Sequence, residues 1–194
     1  MPERVRVVDG LQLGEEMRAV LRPDEVLADG DSVGRRLPRY FYEVPSHEAA
    51  KEMRLTPHFG VNEFLLVDVK ETLPLRAYPR YVPCAVTILA FYLECFRQAA
   101  GGPVSIAYNG GYRSPAHRLS LGLSAHMWGT AADVYRVGST VLNDSDAIQK
   151  YGRLAREIAP SALQVKPYGH DLGSTDDHLH VELGYLTLEP RERD

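Results

Sequence analysis

His178-Leu179-His180-Val181-Glu182-Leu183 is the stretch on which both fold and chemistry turn. Successive side chains of an extended chain point to opposite faces. One face of this strand therefore carries Leu179, Val181 and Leu183. The other carries His178, His180 and Glu182. The apolar face meets a core. The polar face gathers two imidazoles and a carboxylate, with Asp176 and Asp177 just before them. Such groups are costly to bury without partners, so the strand points to a site rather than to structure alone.

Working outward, the next informative stretch is Ser124-Ala125-His126-Met127-Trp128-Gly129-Thr130-Ala131-Ala132-Asp133. Residues 131–137 read as a strand, with Asp133 inside it and His126 just before it. If this strand lies beside the His180 strand, Asp133 and His180 converge and His126 joins them from the loop. Two imidazoles and one carboxylate, with a fourth position open to water, form a recurrent catalytic zinc set. The expected ligands of a single zinc ion are thus His126, Asp133 and His180. A base for the water is expected from Asp177, with Glu182 as the second candidate. Arg113 follows a strand through the turn Asn109-Gly110-Gly111, where a guanidinium suits a carboxylate or a developing oxyanion. Trp128 is a candidate wall of the substrate cleft or a packing residue.

At these residues the sequence resembles the zinc D-alanyl-D-alanine carboxypeptidase family of peptidoglycan peptidases, which share the Hedgehog-like α+β fold. The matching pieces are Gly111-Tyr112-Arg113-Ser114-Pro115-Ala116-His117, Ser124-x-His126-x-x-Gly129-x-Ala131-x-Asp133 and Asp177-His178-x-His180. They span about residues 54–184, in the family's order. The resemblance implies His126, Asp133 and His180 as zinc ligands and Asp177 as general base. It implies His178 as a second active-site group, Arg113 as a holder of the substrate carbonyl or carboxylate, and Ser124 as support for the ligand loop. Residues 55–64 also look like the family's entry segment. Many relatives have Asn where this chain has Arg118. The loop 166–176, with His170 and Asp171, has no counterpart.

The remaining elements are expected as follows. Short helices fit 11–21 and 46–53, the second capped by Ser46. Residues 80–100 carry apolar side chains at spacings of three and four, including Val82, Val86, Leu89, Phe91 and Phe96, which suits a core helix. Gly101-Gly102-Pro103 ends it. Residues 104–108, 162–166 and 178–183 read as strands, 115–121 as a short helix, and 144–158 as an amphipathic helix capped near Asp144. Helices preceding and interleaved with short strands indicate an α+β fold; the family resemblance implies a small antiparallel sheet with helices packed on one face. The expected division is an N-terminal extension over 1–54 and a zinc peptidase domain over 55–194.

The chain has 194 residues, 44% hydrophobic, which is enough for a core without disulfides. Cys84 and Cys95 both fall in the 80–100 stretch. Eleven helical residues span about 16 Å, beyond the roughly 7 Å between Cα atoms that a disulfide allows, so two buried free thiols are expected. A net charge of −4 without a basic block argues against nucleic acid or an anionic membrane as partner. No export signal and no run of about 18 apolar residues is visible. The chain therefore reads as cytoplasmic, or released to the cell wall by another route.

His47-Glu48-Ala49-Ala50-Lys51 begins like a zincin helix but has Lys where a second His is required. His58 and His117 read as turn or surface residues. The expected activity is hydrolysis of a peptide bond at a D-amino acid in a muropeptide-type substrate, by carboxypeptidase or endopeptidase action. Two alternatives remain: a non-catalytic zinc-binding domain of the same fold, and a phage-type endolysin cutting an interior cross-link.

Overall fold

The computed structural model describes residues 5–28, 30, 33–169 and 177–190; His170, Asp171 and Asp176 lie outside them. In chain order the first elements are β1 (Arg6–Asp9), α1 (Glu15–Leu21), β2 (Val26–Leu27), β3 (Arg35–Arg36), β4 (Tyr40–Val44) and α2 (His47–Glu52). The middle of the chain forms α3 (Leu73–Arg76), β5 (Arg80–Pro83), α4 (Val86–Ala100) and β6 (Val104–Ile106). The last third forms β7 (Ala131–Val137), β8 (Thr140–Val141), α5 (Ser145–Ile158), β9 (Gln164–Val165) and β10 (Leu179–Glu182). All strand pairs are antiparallel, and the architecture is α+β.

The site-bearing sheet is five-stranded, with order β6-β7-β10-β9 and β8 paired to β7. Ala132 and Val134 of β7 and Leu179 and Val181 of β10 are fully buried on one face. Against them pack α4, through Leu89, Leu93 and Phe96, and α5, through Ile148, Tyr151 and Ala155. The end of α4 and the start of α5 fall where the sequence indicates. Gly101 ends α4 in the left-handed region at φ 69°. The Asp144 carboxylate caps α5 by accepting from the Ala147 N–H at 2.9 Å, a contact worth about 1 kcal/mol. Ser46 caps α2 in the same way, accepting from Ala49 N at 3.1 Å.

Three expectations are corrected. The helix predicted over 80–100 begins only at Val86, because Arg80–Pro83 pairs as β5 with β4. Phe91, placed among the core residues, is 64% exposed. Residues 115–121 form turns rather than a helix, since the His117 ring captures the Leu119 N–H at 3.0 Å and diverts the backbone. The segment before residue 55 also shares the main core: Leu21, Phe41, Val44 and Ala50 are buried in it, and β1 and β4 form a three-stranded sheet with β5.

Both cysteines are free, but only Cys84 is buried; Cys95 lies exposed on α4. Burial pushes the Cys84 thiol up to about 12. A thiol reagent at pH 8 is thus expected to label one cysteine in the native chain and two in denaturant. Rapid labelling of both in the native chain would show that the β5–α4 junction opens.

Candidate metal centre

The antiparallel register sets His180 directly opposite Asp133, with Leu179 opposite Val134 and Val181 opposite Ala132. The alternation that buries the aliphatic side chains therefore turns Asp133 and His180 together to the other face, as the sequence indicates. His180 Nδ1 donates to Asp133 Oδ1 at 2.7 Å, and Nε2 faces Glu182 Oε2 at 3.0 Å. Burial works against the charged ring. The two carboxylates outweigh it and raise the His180 pKa above the usual imidazole range.

His126 arrives from a one-turn 3-10 helix, Ala125–Trp128, closed by Gly129 at φ 69°. Its Nδ1–H donates to the Gly111 carbonyl at 2.7 Å. Its Nε2 lies 2.8 Å from Arg113 Nη2. An arginine can only donate, so Nε2 carries the lone pair. That nitrogen is 3.4 Å from Asp133 Oδ1. Burial pushes the His126 pKa down and keeps the ring neutral. The turn that supplies the Gly111 carbonyl is pressed against its neighbours. A Cβ on Gly111 would stand 2.6 Å from Phe64 O, and one on Gly110 would stand 2.9 Å from Asp133 O. Asp133 N in turn donates to the Gly110 carbonyl at 2.8 Å.

Arg113 is the cationic partner of the cluster. Its Nη2 also donates to Asp133 Oδ2, and its Nε donates to the Asn109 carbonyl at 2.6 Å. Burial opposes ionisation of Asp133. His180 and Arg113 outweigh it and hold the carboxyl well below the usual carboxylate range. Burial lowers the Arg113 pKa, partly offset by Asp133. Sequence reasoning missed Asn109 as the support of this guanidinium. The signal was present: Asn tolerates the left-handed backbone that this turn requires, and here it has φ 57°.

His178 links the cluster to Asp177. Its Nδ1 is 2.7 Å from Asp177 Oδ1, and its Nε2 is 3.5 Å from Asp133 Oδ1. The Asp177 side chain is 83% exposed and borders the cleft rather than the buried cluster. That cleft, of about 770 Å³, is also lined by Arg113, Ser124, His126, Asp133 and His180. Ser124 holds the ligand turn through its backbone carbonyl, which accepts from Met127 N at 3.0 Å.

Trp128 does not wall the cleft. It is fully buried with Leu37 and Met127, stacks edge-on to Tyr185, and donates its indole N–H to Arg36 O at 2.8 Å. The tight turn explains this. At about 120° per residue, a side chain two positions after His126 leaves on a different side. His117 is likewise buried rather than on the surface. His58 is exposed and bonds Glu94 at 2.6 Å.

The residues fit a metal ion. His126, Asp133 and His180 are all buried, and one ligand atom from each lies within 4.8 Å of the others. Tetrahedral ligands at about 2.1 Å from an ion are about 3.4 Å apart, which matches the His126–Asp133 spacing. The His126 Nδ1–H···O=C bond is the outer contact that orients metal-ligating imidazoles. Among the described residues, no helix is long and apolar enough to cross a membrane. Comparisons with protein families, with curated proteins and with solved structures found no match for this chain.

Proposed function

We propose that this chain is a zinc-dependent hydrolase of peptide bonds at D-amino acids in peptidoglycan-type peptides, with a Hedgehog-like fold. One observation carries the reading. A buried His-Asp-His set stands at the side of an open cleft, with a second imidazole–carboxylate pair and an arginine beside it. A structural metal site needs neither the open cleft nor the extra pair.

His126, Asp133 and His180 would hold the ion. When bound, zinc polarises a carbonyl and lowers the pKa of its water toward about 7. Asp177 is the proton acceptor, and His178, bonded to it, keeps that proton between the cleft mouth and the cluster. Arg113 supplies fixed positive charge where a substrate carboxylate or an oxyanion comes to lie. The cleft is large enough for a short peptide.

Metal analysis and digestion of purified sacculi, with mass analysis of the fragments, test this. One zinc per chain and release of D-amino-acid-containing products are expected. Chelation is expected to stop release. It is also expected to lower the melting temperature by on the order of 10 °C if the ion is held near 1,000 times its Kd. A metal-free chain whose melting temperature ignores chelators would overturn the proposal.

One contact favours a second reading. Arg113 Nη2 donates to His126 Nε2, the nitrogen a metal ion needs. In that reading the guanidinium neutralises Asp133 itself, and the chain is a non-catalytic binding domain. The same metal analysis separates the two.

A further inference from the structure

Beside the ligand cluster, the same cleft has a lining of a different character. Tyr108, Leu119, Leu121, Leu123 and Tyr135 line it. Four of these are open to solvent: Tyr108 at 69%, Leu119 at 40%, Leu121 at 81% and Tyr135 at 36%. Large apolar side chains gathered on a concave surface, next to polar groups that can fix a ligand, mark a binding surface.

The wall is held on a rigid frame. His117 is 2% exposed and lies beneath it. Its Nδ1 accepts from the Leu119 N–H at 3.0 Å, so the proton sits on Nε2, which donates to Asn109 Oδ1 at 3.1 Å. The same Asn109 oxygen accepts from Asp68 N at 3.1 Å. One buried imidazole thus ties the Tyr108–Asn109 turn to the loop of leucines and sets their separation. Asn109 also carries Arg113 on its carbonyl, so the frame is continuous with the ligand cluster.

We propose that this wall is an apolar subsite that takes one bulky aliphatic or aromatic side chain of the bound peptide. The substrate class is then a D-amino-acid peptide bearing a large apolar residue beside the bond presented to the cluster. The peptide as ligand rests on the proposed function; the apolar preference rests on the wall.

The test is equilibrium binding to the chelator-treated full chain, which turns nothing over. The probes are acetylated tri-D-alanine and its variants with Leu or Phe at each position in turn. At one position Leu or Phe should bind about tenfold more tightly than Ala, a fraction of the full burial of even the three extra carbons of Leu. Leu121→Ser and the double variant Leu119→Ser/Leu121→Ser should lose that preference, so that the Leu and Phe probes bind no more tightly than tri-D-alanine. Equal binding across the set, no binding at all, or a preference that survives the double variant overturns the subsite. Turnover by the zinc-loaded chain is read separately. An apolar preference without turnover sinks the hydrolase reading alone, and turnover without preference sinks the subsite alone.

Discussion

Asp133→Ala is expected to remove the bound metal and to cost about 3–5 kcal/mol of stability, as for any buried pair that loses one member. The Asp133 side chain is only 9% exposed and that of Arg113 only 12%. The carboxylate is shared by Arg113, His126 and His180. Removing it leaves a guanidinium in the interior without its counter-charge. Urea unfolding gives the loss directly. Asp133→Ala/Arg113→Met, which removes both charges, should regain much of the stability while staying metal-free. A single variant as stable as the parent would mean that the pair is solvated and the cluster loosely held.

Asp177→Asn is expected to keep the metal and the fold while lowering kcat by about 10²–10⁴, the usual share of a positioned acid–base group. The residue is exposed, and its contact to His178 survives as a neutral hydrogen bond. Stability should therefore change little. Metal content, urea midpoint and muropeptide turnover are the three readouts. Normal turnover would remove Asp177 from the chemistry and turn attention to Glu182, which sits 3.0 Å from His180.

The two strands that carry the site were legible because their alternation is clean. Leu179 and Val181 must go inward, so His178, His180 and Glu182 must go to the other face; the pairing with β7 was a condition of the reading, and the register meets it. The start of α4 was not legible. Tyr81-Val82-Pro83-Cys84-Ala85-Val86 is one apolar run, and such a run does not distinguish a buried strand from a buried helix turn. The partner that decides it, β4, lies some forty residues earlier. Trp128 and His117 were misplaced for a related reason. Their surroundings come from other segments of the chain, Arg36 O for the indole and the Asn109 side chain for the imidazole. Arg113 was recognised from its turn, but its hold on His126 Nε2 depends on a tertiary approach that no local spacing encodes.

The three candidate ligands do not share one kind of anchorage. Asp133 and His180 are opposed residues of the β7–β10 ladder, so the backbone pairing itself sets their side chains side by side. His126 sits on a single 3-10 turn outside the sheet, its ring held by the Gly111 carbonyl and by Arg113. The cluster thus has a stiff half and a yielding half, and an ion would enter and leave past the imidazole, with the carboxylate–imidazole rung standing as the dock.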